Sequence, residues 1–162
     1  MVVGILSDTH LAADLGKLTD LLAGPLAIAD VLLHAGDHVS MEVVDHLEFV
    51  DQRIYHGVAG NMDSADILAR LGKKKLVNLG GLTVGLAHGW GAGEGLELRI
   101  GSIFSTPPDL LVFGHSHRPL VRRIGPTLYL NPGSPFSPRG GPGTVLLVTI
   151  GEGGPQVRLI EV

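Results

Sequence analysis

The chain contains no cysteine. That one absence excludes disulfide frameworks, zinc ribbons, iron–sulfur clusters and thiol nucleophiles together, so any metal must be held by oxygen and nitrogen. Aromatic residues are scarce at 4%, although 44% of residues are hydrophobic, so the core has to be built from Leu, Val, Ile and Ala. Charge is thin as well: 17% of residues are charged, with 12 basic against 16 acidic and a formal net charge of −4. Lys73-Lys74-Lys75, read as a solvated turn, is the only basic run, and an extended nucleic-acid surface, which needs a basic stripe, is not expected. No apolar run approaches the roughly 18 residues of a membrane span, and no basic region precedes a cleavable apolar segment, so no membrane association and a cytoplasmic location are expected. Without internal repeats or low-complexity linkers, 162 residues fit a single domain over 1–162.

Glycine is plentiful, with 24 residues and 10 prolines besides, mostly set between short apolar runs, which implies many tight loops. Strands are expected over 2–6, 31–34 and 53–58, alternating with helices over 11–23, 41–50 and 64–71, and Ser64 is placed to cap the last of these. Strand–helix alternation implies a mixed parallel α/β first half. Residues 75–79 and 82–87 read as a hairpin turning on Gly80-Gly81, 95–104 as helical and 110–113 as a strand. Strands over 118–124, 127–130, 144–150 and 156–162 give the carboxyl third an antiparallel look. Two packed sheets flanked by helices accommodate both halves.

The chemistry lies where these apolar runs stop. Asp8-Thr9-His10 follows the first strand, then come Gly36-Asp37, Gly60-Asn61, His88-Gly89 and Gly114-His115-Ser116-His117. In extended chain, residues i and i+2 share a face, so Asp8 with His10, and His115 with His117, are each expected to close on one point. Carboxylate, imidazole and amide oxygen suit Mn²⁺, Fe²⁺, Zn²⁺, Co²⁺ or Ni²⁺, and the nitrogen content disfavours Ca²⁺. Asp8, His10, Asp37, Asn61, His88, His115 and His117 are more ligands than one tetrahedral ion requires, so two divalent ions fit better. Asp37, in the middle of the series, is the natural bridge, and two cations about 3.5–4 Å apart would acidify a shared water and clamp an in-line displacement at phosphorus.

Taken singly, each motif has an ordinary explanation. Asp8-Thr9 can cap a helix, Gly36-Asp37 and Gly60-Asn61 are common turn pairs, and a lone His88 at a strand end is more often structural. Their weight comes from order and position. Of the other histidines, His34 reads as a core residue and His46 as solvent-facing, while His56 carries no clear signal. His38, next to Asp37, can touch substrate or donate a proton, and Arg139 can reach a phosphoryl oxygen. Trp90 is placed either to line the mouth of the site or to pack against its loop.

In that order the motifs resemble the calcineurin-like metallophosphoesterases, and within them the small single-domain phosphodiesterases of the YfcE type. The resemblance spans nearly the whole chain and includes Asn131-Pro132-Gly133-Ser134, similar to a loop after the last metal motif. It implies a four-layer α/β/β/α sandwich of two mixed sheets flanked by helices. It also implies one ion on Asp8, His10 and His117, a second on Asn61, His88 and His115, Asp37 shared, and a bridging hydroxide as nucleophile. Mn²⁺ stands first among the candidate metals and a small phosphate ester is the implied substrate. Asn61 and Arg139 are the candidate substrate contacts, and Asp37, His38 and Asp63 the candidate catalytic groups, with Asp63 better suited to orienting a ligand or capping a helix. Many larger relatives carry His directly after the motif Asn, whereas here Met62 follows Asn61, which favours phosphodiesters over phosphomonoesters. The competing readings are a phosphomonoesterase or nucleotidase using the same ions, and a non-catalytic scaffold of the retromer-subunit kind. Exposed strands in the last third can also pair between copies in a homo-oligomer.

Overall fold

A computed structural model describes residues 1–12, 14–49, 53–91 and 95–162. Strands β1 (Val2–Leu6), β2 (Val31–His34) and β3 (Ile54–Gly57) pair in parallel and are joined through helices α1 (Gly16–Ala23) and α2 (Met41–Phe49). Helix α3 (Ala65–Leu71) then leads to the hairpin of β4 (Lys74–Leu79) and β5 (Leu82–Ala87), which turns on Gly80 and Gly81, both at positive φ. Helix α4 (Leu96–Gly101) precedes β6 (Leu110–Val112), β7 (Pro119–Ile124), β8 (Thr127–Pro132), β9 (Thr144–Gly151) and β10 (Gly154–Glu161). Two five-stranded sheets result, ordered β10-β9-β1-β2-β3 and β4-β5-β6-β8-β7.

The strands β1, β2, β6 and β8 read as apolar runs rather than alternating ones because both faces are covered. Val3, Ile5, Val31, Leu33, Leu110, Val112, Leu146 and Val148 meet between the sheets. Leu6, Leu32 and Leu147 turn outward onto Leu18, Leu22, Val43 and Leu47 of α1 and α2. On the opposite outer face, Leu111, Phe113 and Tyr129 pack on Leu96 and Ile100 of α4. The result is the expected four-layer α/β/β/α sandwich. Each buried Leu, Ile or Phe contributes about 1.5–3 kcal/mol.

Three expectations need correction. The first helix begins at Gly16, not at 11, after tertiary hydrogen bonds hold Asp8 and His10 in left-handed conformations; Leu11 and Leu15 still join the apolar cluster beneath it. The carboxyl third is antiparallel only in part: β7–β8 and β9–β10 are antiparallel pairs, and β9 crosses back to lie antiparallel beside β1, yet β8 runs parallel to β6. Local alternation reports a strand but not its partner. Lys74 and Lys75 open β4 rather than forming a turn, with Lys74 Nζ donating to Ile103 O at 2.9 Å. The N-cap expectation holds, since Ser64 Oγ accepts from Ile67 N–H at 3.3 Å. Residue 13 of the expected first helix and residue 50 of the second lie outside the described residues.

Candidate metal centre

Parallel strands end on the same side, so the loops after β1, β2 and β3 in one sheet and after β5 and β6 in the other deliver the motif residues to one rim. The local backbone is not the extended chain that i/i+2 spacing implies. Among the described residues, the non-glycines with left-handed φ are Asp8 (53°), His10 (48°), Asp37 (60°), Val39 (78°), His115 (70°) and His117 (56°). All but Val39 are candidate ligands. Such conformations are uncommon outside glycine and persist where surrounding bonds over-determine them. Here Asp8 N–H donates to Gly36 O (2.9 Å), His10 N–H to Asp37 O (3.1 Å) and His115 N–H to Asp8 Oδ2 (3.0 Å). The motif glycines serve this close approach. A Cβ on Gly60 would overlap the Asp37 side chain, and one on Gly114 would strike Ser7 Oγ and Asp8 Oδ2.

Asp8, His10, Asp37 and His117 each present one ligand atom, all within 4.8 Å of one another. His117 Nε2 lies 3.3 Å from Asp8 Oδ1 and 3.2 Å from His10 Nε2. A second group adjoins it: His88 Nε2 is 3.1 Å and His115 Nδ1 2.9 Å from Asn61 Oδ1. Asp37 joins the two groups, with Oδ2 3.5 Å from His10 Nε2 and 3.3 Å from His88 Nε2 while Oδ1 accepts Met62 N–H at 2.8 Å. His115 and His117 therefore do not converge as a pincer; their left-handed backbones send one ring to each group.

The ring hydrogen bonds show what these donors suit. His88 Nδ1 meets Ala35 O at 2.7 Å, His115 Nε2 meets Gly91 O at 2.9 Å, and His117 Nδ1 meets Ser137 O at 2.6 Å. A carbonyl accepts only, so each of these nitrogens carries the proton, and in the neutral ring the other nitrogen presents a lone pair. Those lone pairs face carboxylate and amide oxygens. Lone pair against lone pair is repulsive unless a cation stands between them, and backbone-anchored imidazole is how proteins orient metal-binding histidine. The residues fit a divalent metal centre.

Electrostatics agree. Burial raises the Asp8 pKa above its ordinary value, against the pull of His88. Burial would also raise Asp37, but the His88 hydrogen bond, the His88 charge and Met62 N–H together lower it. Burial lowers His10 and His56, and lowers fully buried His34 much further. Without a metal a proton can take the cation's place on His88 Nε2: burial works against it, yet the bond it makes to Asp37 and the Asp8 and Asp37 charges leave the pKa raised. Histidines depressed in the folded state contribute stability above the unfolded value of about 6.5 that is lost as pH falls; the raised His88 and Asp8 have the opposite sign. With His34 the largest and His10 and His56 beside it, the metal-free chain should lose stability between about pH 7 and 5. Thermal midpoints measured in chelator check this, and a midpoint that rises toward pH 5 would contradict it.

Two expected catalytic groups lie elsewhere in the arrangement. His38 is fully buried, its Nδ1 at 3.1 Å from Asp63 Oδ2 and its Nε2 at 2.7 Å from Tyr55 OH, so it does not meet substrate. Asp63, its side chain sealed from solvent, accepts N–H bonds from Asp37 (3.0 Å), Val39 (2.7 Å) and Gly60 (2.8 Å). Burial alone would raise its pKa, but His38, with the Gly60 and Val39 N–H bonds, drives it well below the usual carboxylate range, the opposite of what a general acid needs. Arg139 is exposed, its N–H bonded to His117 O at 3.3 Å. Trp90 is also exposed. His34 is buried against Thr9 Oγ1 (3.1 Å), and His46 is partly exposed beside Thr19.

Sequence reasoning did not reveal the supports. Ser134 Oγ donates to Asp8 O (2.7 Å) and accepts Ser137 N–H (2.9 Å), while Ser137 O anchors His117. Asn131 Nδ2 donates to Gly114 O at 2.8 Å. The Asn131–Ser134 resemblance pointed to this loop, but the carbonyls of Ala35, Gly91 and Ser137 leave no side-chain signal to read.

A two-sheet sandwich with carboxylates and oriented histidines gathered at one rim is the architecture of the metallophosphoesterase fold. The sequence profile of the calcineurin-like phosphoesterase superfamily domain matches residues 1–153, and the chain belongs to that superfamily. It is 32% identical over 143 residues to a "probable metallophosphoesterase" of Methanocaldococcus jannaschii, covering 86% of this chain and 70% of that one. A second "probable metallophosphoesterase", from Methanothermobacter thermautotrophicus, is 30% identical over 141 residues, covering 86% and 80%. The solution structure of a Thermotoga maritima protein superposes with a TM-score of 0.76 at 29% identity, covering 99% of each chain. Among the described residues, no helix is long and apolar enough to cross a membrane.

Proposed function

We propose that this chain is a phosphodiesterase of the small YfcE type, folded as one domain over residues 1–162, that uses two divalent ions. Asp8, His10 and His117 would hold one ion and Asn61, His88 and His115 the other, with Asp37 shared. Mn²⁺ is the first candidate, and Ni²⁺, Fe²⁺, Co²⁺ and Zn²⁺ suit the same nitrogen and oxygen donors. The observation that carries this reading is the anchoring of three histidines to backbone carbonyls, which keeps the free nitrogens of His88, His115 and His117 turned toward Asp37, Asn61 and Asp8. Bound ions would lower the pKa of water and neutralise charge on phosphoryl oxygens.

The chain's own residues then set the substrate. Asp37 supplies negative charge to both groups, and the Met62 N–H bond fixes which oxygen does so. Met62 is 58% exposed and carries no proton donor, at the position directly after Asn61. A leaving oxygen that needs no protonation is thereby favoured, and the departure from the larger relatives at this position is the ground on which diesters are proposed over monoesters. Arg139, exposed beside the His117 carbonyl, is the proposed contact for a phosphoryl oxygen. The proposed substrate is a small phosphate ester in the cytoplasm.

The test is metal analysis of purified protein together with hydrolysis across Mn²⁺, Ni²⁺, Co²⁺, Zn²⁺ and Mg²⁺. Bis-p-nitrophenyl phosphate should be cleaved faster than p-nitrophenyl phosphate. The reverse order would assign the same centre to phosphomonoesters, and protein that neither binds metal nor hydrolyses either ester would act as a scaffold.

A further inference from the structure

We infer that Tyr55, His38 and Asp63 form a positioning relay that clamps the Asp37 loop to the Gly60-Asn61 loop and sets the affinity of the ion position near Asn61; the inference rests on the two-ion reading above. Asp63 is the centre of the clamp. Its Oδ2 accepts Asp37 N–H (3.0 Å), Gly60 N–H (2.8 Å) and His38 Nδ1 (3.1 Å), and its Oδ1 accepts Val39 N–H (2.7 Å). Asp37 and Val39, on either side of His38, both hold left-handed φ, at 60° and 78°. One carboxylate thus stabilises two strained residues of one ligand loop and ties them to the first residue of the next.

The relay continues away from the rim. His38 Nε2 lies 2.7 Å from Tyr55 OH, and the His38 ring stacks on His34 with centroids 3.7 Å apart. His34 in turn meets Thr9 Oγ1 at 3.1 Å and accepts Gly36 N–H at 3.2 Å. Gly57 makes room for this arrangement, since a Cβ there would strike the Tyr55 hydroxyl. A hydroxyl, imidazole and carboxylate in line resemble an activated nucleophile, but His38 and the Asp63 side chain are sealed from solvent, so no substrate reaches them. Their effect is exerted through Asp37 and Gly60.

The two ion positions should respond unequally. Asp8 and His117 keep supports outside the clamped loops, in Ser134 Oγ and Ser137 O, so that at the first position only the Asp8 and His10 N–H groups lean on the Asp37 loop, through Gly36 O and Asp37 O. Asn61 depends on the loop that Asp63 holds. Substituting a group that orients ligands costs about 10–100-fold in metal affinity, so Asp63→Asn should weaken the second of two ions by that factor and the first by much less. Tyr55→Phe should give a smaller change of the same kind.

The experiment titrates Co²⁺ into chelator-stripped full-length protein, followed by visible absorption and calorimetry, with circular dichroism as the check on folding. Selective loss of the second Co²⁺ and its absorption band in Asp63→Asn supports the relay. Two ions bound with wild-type affinity, or both weakened equally, overturns it. If Asp63→Asn does not fold, Tyr55→Phe decides by the same two criteria. Wild-type protein that binds no Co²⁺ overturns the two-ion reading and the relay with it, whereas wild type binding two ions with the variants unchanged overturns the relay alone.

Discussion

Asp37→Asn is expected to abolish phosphodiester turnover, lowering kcat by at least the order of 10²–10³-fold that follows removal of one charge-stabilising group. The reason is geometric as well as electrostatic. Oδ2 of Asp37 stands 3.5 Å from His10 Nε2 and 3.3 Å from His88 Nε2, and Oδ1 holds Met62 N–H at 2.8 Å. An asparagine amide has one acceptor oxygen and one donor nitrogen. With its oxygen toward Met62, the amide NH₂ occupies the shared position and cannot serve as an anionic ligand. With its oxygen toward the histidines, the NH₂ opposes Met62 N–H and the side chain is pushed out of place. Either way the charge common to both groups is lost. Turnover of bis-p-nitrophenyl phosphate with Mn²⁺, alongside metal content, checks this; near-wild-type kcat would remove Asp37 from its shared role.

Gly60→Ala should be nearly as damaging although it removes no functional atom. A Cβ at this position overlaps Asp37 Oδ1 and the Asp37 amide nitrogen, and the residue cannot retreat because its own N–H is bonded to Asp63 at 2.8 Å. Asp37 must therefore move. Overpacking of this kind costs about 1–3 kcal/mol of stability, and displacement of a catalytic constellation by about 1 Å can cost on the order of 10²-fold in rate. A lowered thermal midpoint with activity reduced to that extent is the expected result. Gly151→Ala is the control, since a Cβ there meets nothing within 4 Å and the backbone is not left-handed. Equal behaviour of the two variants would show that Gly60 is not needed for close approach.

Much of this was legible in one dimension. The apolar runs of β1, β2 and β6 have no polar alternation because both faces are buried, and that property is written in the residues themselves. Ser64 as a cap and Gly80-Gly81 as a turn were equally readable, since each depends on a few neighbouring atoms. The start of α1 was not. Leu11 and Leu15 keep helical spacing and do become buried or partly buried, yet tertiary hydrogen bonds hold Asp8 and His10 in left-handed conformations and delay the helix to Gly16. His38 was misjudged for a related reason. Adjacency to Asp37 suggested contact with substrate, whereas the left-handed turn at Asp37 sends the next side chain inward to Asp63 and Tyr55.

By itself the sequence determined the layered α/β class, the exclusion of sulfur chemistry and the set of oxygen and nitrogen donors, because these follow from residue type and local spacing. Tertiary structure alone decided that β9 returns beside β1, that His115 and His117 take left-handed backbones, and that the Asp63 carboxylate gathers the N–H groups of Asp37, Val39 and Gly60. Those outcomes depend on backbone carbonyls, N–H groups and left-handed torsions, which every residue possesses and which only the folded chain brings into register.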